Sequence, residues 1–443
     1  MRASNLKMSG LADQRPVSAS PRQARLEDEA QESPATWSES ESAMALRRLR
    51  EWVEKRQYAG CEPYDILNSR LLPTWISGQF PLNWLLIQAG KHFPGNFMRK
   101  AFQVPASVNP KGVGLFLHGY CDLARCGDDT RATCEHLKSE LQRLRSPHEN
   151  HYCWGYDWDY VSLRGSSMRA FSPNAIASAF CGQALLEMAA VFSDSEAAEM
   201  ASSVGEFFLE RLNRPVDTPV HLCFSYTPDN YSQIFNASVL VGAFLARLGR
   251  MLGKLEYLAH AQRSMKYLAD HQQADGSWKY GAAPRQAWVD GFHTGYNLCA
   301  LLNYQNCSGD DSFQSSIQRG YELYSRSMFT GEGIAKYYRD SLYPIDIHSC
   351  AQGVITFCEF AQVEAGAAAA ASKVLNWTLQ NMQSADGSFY YQRHRRWVHR
   401  TPFMRWGQAW MFHALSRYRA TCIRQQQQQR ELNIALQGRR PAQ

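Results

Sequence analysis

The sequence predicts an all-α protein, an (α/α)6 toroid in which six helix pairs close into a ring. Three observations carry that prediction. One unit recurs with a period near 55 residues, about two helices and two loops. Each copy runs from an aromatic-rich loop into an apolar helical stretch. No strand-rich run interrupts the series.

The clearest copies are "HQQADGSWKYGAAPRQAWVDGFHTGYNLCALLNY" (271–304) and "NMQSADGSFYYQRHRRWVHRTPFMRWGQAWMFHALSRY" (381–418). Each passes through Ala-Asp-Gly-Ser-aromatic. Glycine takes positive φ without steric cost, so Asp275 and Asp386 are expected in turns. Each then enters a helix with apolar residues three or four apart: Leu298, Leu301 and Leu302, or Met411, Phe412 and Leu415. Weaker copies span 151–189, 221–248 and 333–360. The loop aromatics Trp154, Phe224, Trp278, Tyr337 and Phe389 lie 70, 54, 59 and 52 residues apart. Amphipathic helices are expected between units at 193–213, 252–272, 310–329 and 363–383. Residues 44–125 supply a sixth, less regular unit, with helices near 44–56, 83–92 and 113–125.

The toroid is expected to occupy 43–420. Residues 1–42, rich in Ser, Glu, Arg and Gln, read as a disordered tail. Residues 421–443, with their glutamine run, read as a polar helix extension or a tail.

Composition narrows the function. A net charge of +6 is spread along the chain. It lacks the basic face of a nucleic-acid binder. No run approaches the roughly 18 apolar residues of a membrane span. The N-terminus lacks a signal-like apolar stretch, so a cytoplasmic protein is expected. The twelve cysteines then read as reduced core thiols. Cys121, Cys126 and Cys134 cluster without a zinc-ligand spacing. No metal and no cofactor is expected.

In such a ring every outer-to-inner connection emerges on one face. The aromatic loops therefore converge on one mouth, over the N-termini of the inner helices, which favour anionic and hydroxylated ligands. Flat rings there would stack on sugar faces, while polar groups hold hydroxyls. The expected ligand-binding set is Trp154, Asp157, Tyr226, Asn236, Trp288, Tyr338, Tyr343, Arg405 and Trp406. "WVDGFHTGYN" and "YPIDIHSCAQ" each place a histidine just behind an aspartate. Either aspartate could simply cap a helix. The pairs Asp290 with His293 and Asp346 with His348 are nonetheless the expected catalytic corners.

Several stretches together resemble the VpsJ-type polysaccharide biosynthesis proteins of bacterial exopolysaccharide systems, within the six-hairpin glycosidase-like superfamily. They are "CWGYDWD" with "SPNAIASAF", "CFSYTPDN…NASVLVGAFLAR", "DGSWKYG…WVDGFHTGYNL", "KYYRDSLYPIDIHSCAQ" and "TPFMRWGQAWMFHAL". They cover about three fifths of the chain, from 150 to 418. The resemblance implies the toroid and a role with an oligosaccharide or sugar precursor, together with association with polysaccharide-assembly proteins. It carries over no catalytic set.

Hydrolysis would use paired carboxylates, Asp290 and Asp346 with Asp157 or Asp229 opposite. Lyase or epimerase chemistry would use His293 or His348 as base, with Tyr338 or Tyr343 and Arg339 or Arg405. A non-catalytic glycan-binding or scaffold protein is the alternative from another class. A toroidal terpene cyclase is a third: "QQADGSW" resembles its Gln-Trp motif, but the Asp-x-Asp-Asp acid motif is missing.

Overall fold

The computed structural model describes residues 39–93, 95–161 and 167–437. Most of the stretch expected as a tail, 1–38, lies outside the described residues, as does 438–443. The described chain is helical, with seven β-strands of two residues each.

The chain forms the expected ring. Six inner helices stand side by side: α4 (Pro110–Arg125), α6 (Ala175–Phe192), α8 (Phe235–Leu252), α10 (Gly291–Ser308), α12 (Ile347–Phe360) and α14 (Trp410–Gln437). Each packs on the next, and α14 closes back onto α4. Six outer helices surround them: α1 (Glu39–Glu54), α5 (Arg131–Arg143), α7 (Ser195–Glu210), α9 (Leu255–Asp270), α11 (Gln314–Ser327) and α13 (Ala367–Met382). Two short helices, α2 (Leu82–His92) and α3 (Phe97–Ala101), lie in the first outer-to-inner connection.

Burial explains the division. Helices α6 and α8 are long and apolar enough to cross a membrane, yet most of their residues are buried in the ring. A helix apolar on every side belongs either in lipid or inside a larger core. The outer helices carry one apolar face; α11 buries Ile317, Gly320, Tyr321 and Tyr324 and leaves its charges outside.

Glycine sets how the loops dock. Gly276 (φ +88°) and Gly387 (φ +92°) sit in the repeated Asp-Gly turns. A Cβ on Gly276 would lie 2.5 Å from the Arg319 carbonyl oxygen on α11, and one on Gly387 2.6 Å from that of Arg48 on α1. Each turn thus presses on the backbone of the following outer helix, and the last turn meets the first helix. Asp275 and Asp386 accept the backbone N–H of Ser277 and Ser388 at 3.0 Å, as turn residues.

Helix α1 begins at Glu39, four residues before the boundary placed at 43. Helix α14 runs past 420 to Gln437, with its side chains exposed from Arg424 to Ile434. The glutamine run, among the described residues, is an extension of that helix.

Candidate functional site

Four inner helices open at the mouth with a side-chain cap: Asn109 on α4, Asn174 on α6, Asp290 on α10 and Asp346 on α12. Each accepts a first-turn backbone N–H that has no partner within the helix. Asp290 takes the His293 N–H at 3.0 Å and Asp346 the His348 N–H at 2.8 Å.

This changes the expected roles of both aspartates. Asp346 is fully buried and accepts two further bonds, from Gln392 Nε2 at 2.7 Å and Trp406 Nε1 at 2.9 Å. Burial is the main influence raising its pKa, and these donors oppose it. With both oxygens occupied by neutral donors, Asp346 positions Trp406 and the start of α12. Asp290 accepts the Trp288 indole at 3.0 Å and the His293 Nδ1 at 2.7 Å, both on its second oxygen. Both aspartates are therefore engaged as helix caps and acceptors of neighbouring side chains.

His293 donates Nδ1–H to Asp290, which leaves Nε2 as the basic nitrogen. No described residue hydrogen-bonds that Nε2. His348 lies one inner helix further round. Its Nε2 meets the Tyr296 hydroxyl at 2.5 Å, and its buried Nδ1 has no hydrogen-bond partner among the described residues. The ring is stacked between Phe292 (4.6 Å) and Trp410 (4.4 Å), with Trp406 edge-on at 4.9 Å. Burial first, then the charges of Lys111 and Arg405, hold His348 well below its usual pKa, so the imidazole is neutral. Phe292 touches both histidines, its centroid 4.1 Å from His293 and 4.6 Å from His348.

Arg405 and Trp406 stand on a π-helical turn, Met404–Ala409, that leads into α14. Wide turns of this kind re-aim side chains and recur at functional sites. Arg405 is buried beside Glu62, Nη2 to Oε2 at 3.2 Å, with its backbone N–H donating to Oε1 at 2.5 Å. Its guanidinium lies 5.1–5.4 Å from the centroids of Tyr156, Trp158 and Trp406. Buried polar atoms are normally paired. Here Arg405 Nε, Trp158 Nε1 and His348 Nδ1 are all buried without a hydrogen-bond partner among the described residues.

The region before residue 110 supplies groups the sequence reading did not name. The first outer-to-inner connection spans 55–109; the others span only 144–174, 211–234, 271–290, 328–346 and 383–403. The first delivers Glu62, Tyr64 and Lys91. Burial above all pushes the Glu62 carboxyl up to about 7, Arg405 opposing and Asp157 adding to the shift. Lys91 Nζ lies 5.2 Å over the Tyr64 ring. Lys111, on the first turn of α4, lies over Phe180 at 4.4 Å and Trp410 at 5.1 Å. Burial, then the charge of Arg405, holds its amine well below the usual lysine range. No repeat pattern covers this stretch, and the Asn109-Pro110 helix start was its one usable signal.

The remaining expected residues divide. Asp157 is buried, accepting from Asn109 Nδ2 at 2.6 Å and from Ser107 Oγ. Tyr226 shares a hydroxyl contact with Tyr156 at 3.3 Å, and Tyr156 stacks on Trp158 at 5.0 Å. Trp288 stacks on Tyr280 at 4.4 Å. Tyr338 and Tyr343 stand exposed. Asn236 lies buried in the first turn of α8, its Oδ1 unpaired. Trp154 is not a ligand platform: it is fully buried and its indole donates to the Leu141 carbonyl at 2.8 Å, a core role. Arg339 is exposed and pairs with Asp275 at 2.7 Å, so of the two expected arginines Arg405 is the one whose charge reaches His348.

The chain matches no protein-family model and no curated protein. Solved structures do match. A cellobiose 2-epimerase from Spirochaeta thermophila superposes with a TM-score of 0.55 at 13% identity, over 71% of this chain and 86% of that one. A family 76 α-mannanase from Bacteroides thetaiotaomicron gives 0.55 at 11% identity, over 72% and 87%. A polysaccharide lyase gives 0.54 at 10% identity, over 88% and 99%. The chain shares the (α/α)6 toroid fold of these structures.

Proposed function

We propose that this chain is a carbohydrate-active enzyme that moves a proton at a sugar carbon, of the epimerase or lyase type. One observation carries the chemistry. Two histidines stand at the starts of neighbouring inner helices, one hydrogen-bonded to a buried carboxylate and the other held neutral, each with one ring nitrogen unpaired.

Moving a proton to or from carbon needs a base, and an acid to return the proton or assist the leaving group. His293 Nε2 is the base, because Asp290 fixes the tautomer and stabilises the imidazolium that forms. His348 serves as its partner from the next helix. Arg405 holds the carbonyl or carboxylate that acidifies the neighbouring C–H. Stacked rings such as Tyr156 on Trp158 receive the apolar face of the sugar. The epimerase, mannanase and lyase that share the fold support a saccharide as ligand. The resemblance to VpsJ-type proteins supports an oligosaccharide or sugar precursor of exopolysaccharide biosynthesis, and association with polysaccharide-assembly proteins.

Hydrolysis is the second reading, favoured by Glu62. A buried carboxyl that titrates near 7, with the carboxylate of Asp157 nearby, suits a general acid. A non-catalytic glycan-binding role rests on the same rings and unpaired atoms.

The test is proton exchange in D2O, followed by NMR, with a reducing disaccharide and with a uronic-acid oligosaccharide. An epimerase should bring deuterium into one sugar C–H position, and a lyase should remove that C–H and leave an unsaturated uronic acid. His293→Asn and His348→Asn should each slow entry by roughly 100-fold or more, while binding, read by tryptophan fluorescence, persists. A new reducing end with neither exchange nor an unsaturated product would move the chemistry to Glu62 and Asp157. Binding with none of these would leave the glycan-binding role.

A further inference from the structure

We propose that the face of the toroid carrying the mouth docks onto an anionic lipid bilayer. The argument begins with α2. Its inward positions are Asn83, Ile87 and Gly90, with Asn83 donating to the Ser77 carbonyl at 2.8 Å. Its outward positions include Leu82 and Leu85, and Phe93 follows at its end, all exposed. This inverts the usual pattern of a surface helix, which turns its apolar stripe toward the core. The flanking segments continue the surface: Trp75 is 62% exposed and Phe97 68%. A monomer seldom exposes so many large apolar side chains in one stretch without a use for them.

Charge decides which occupant fits. No Asp or Glu occurs between Asp65 and Asp122, nor between Asp386 and Glu431. The second acid-free stretch holds the hairpin of β6 (Gln392–Arg393) and β7 (Val398–His399). It lies against the end of α2: the Lys91 backbone is within reach of His399, and His92 acts electrostatically on His394 and His399. Its tip exposes Arg395, Arg396 and Trp397, with Arg400 behind. Arg70 and Lys100 are exposed on the first stretch. Within these two stretches exposed apolar and aromatic side chains occur with exposed cations and no acids, the composition that suits a bilayer interface carrying negative headgroups. A protein partner would be expected to meet at least some acidic residues here.

The proposal goes beyond the assigned chemistry and stands whether or not the histidines are catalytic. It is tested by flotation of the full-length protein with phosphatidylcholine vesicles, and with vesicles in which about a third of the lipid is phosphatidylglycerol. The protein should float with the anionic vesicles and remain behind with the neutral ones, and added salt should release it. The double variants Leu85→Ser with Phe93→Ser and Arg395→Glu with Arg396→Glu should each weaken partition by roughly tenfold or more. Both change exposed residues, and circular dichroism melts should match the parent. Failure of the parent protein to bind anionic vesicles overturns the proposal, as does binding that neither variant weakens. Light scattering without lipid that finds a dimer, made monomeric by Leu85→Ser with Phe93→Ser, also overturns it and assigns the face to a second copy.

Discussion

Asp290 accepts the His293 backbone N–H through one oxygen and the His293 ring N–H through the other. Substitution separates the two roles. Asparagine caps a helix about as well as aspartate, but it lacks the negative charge that stabilises an imidazolium. Asp290→Asn should therefore shift the thermal midpoint little while lowering turnover by roughly 100-fold to 10,000-fold. Equal losses in stability and turnover would reduce Asp290 to a cap. Glu62 makes a different prediction. Its folded pKa, about 7, lies above the ordinary 4.5. The native state then holds the proton more tightly than the unfolded chain. The stabilisation is complete in acid, below about 4.5, and is lost as the pH rises through about 7. At about 1.4 kcal/mol per pH unit, this amounts to about 3 kcal/mol. Urea unfolding at about pH 5 and about pH 8 should show that decline in the parent, and a flatter profile in Glu62→Gln. Both residues show what a sequence reveals at this scale. Asp290 and His293 stood out because the pair lies just ahead of an apolar helix. Glu62 did not, because its partner Arg405 is 343 positions away and only ring closure brings them together.

At the level of elements, the inner helices are held together by charge at the end away from the mouth. Arg417 of α14 donates to Asp122 of α4 at 2.9 Å and to Glu359 of α12 at 2.7 Å, and its third nitrogen meets His118 of α4. Glu187 of α6 pairs with Arg125 of α4 and with Arg247 of α8 at 2.5 Å. Five of the six inner helices thus enter one network. Burial alone would raise the Glu187 pKa, but His118, Arg247 and Arg125 prevail and hold it well below the usual carboxylate range. Removing Arg417 takes the nearer cation from buried Asp122, which keeps only Arg125 at 3.4 Å, and Arg417→Ala should cost about 3 kcal/mol in chemical denaturation. Adding Asp122→Asn should recover part of that loss, which a simple packing defect would not allow. This network was invisible in the sequence, whereas the helices that carry it were not. The expected helices at 252–272 and 363–383 are observed as Leu255–Asp270 and Ala367–Met382, because hydrophobic periodicity is a local property. Which charges meet across helices depends on azimuth around the ring, and periodicity says little about that. The π-helical turn at Met404–Ala409 escaped for the same reason: its residues read as an ordinary helix start.

For the whole molecule, the decisive contact is the seam where the last unit meets the first. Trp52 of α1 donates its indole N–H to Asp386 at 3.0 Å, and Gln383 donates to the Ala45 carbonyl at 3.2 Å. Gly387 presses on Arg48 as Gly276 presses on Arg319. The closing joint therefore repeats the geometry of an internal one, with its partner drawn from the opposite end of the chain. The recurring Asp-Gly-Ser-aromatic loops made the ring legible. The seam was not, since α1 carries no copy of the motif and must be placed by elimination. Toroid stability then depends on both ends of the ring, unlike an open solenoid, whose end units only cap a stack. A chain beginning at residue 56 lacks the first outer helix, with its buried Leu49 and Val53, and uncovers the side of α14 on which that helix packs. It should lose the single cooperative transition in differential scanning calorimetry and aggregate on heating. A chain ending at Arg424 removes only solvent-exposed turns of α14 from the described structure. Its thermal midpoint should stay within about 1 °C of the parent, since surface changes of this kind are worth about 0.5 kcal/mol or less. If the first truncation also melted as one sharp transition, the ring would have to be stable without its seam, and the five internal joints would suffice to hold the mouth open.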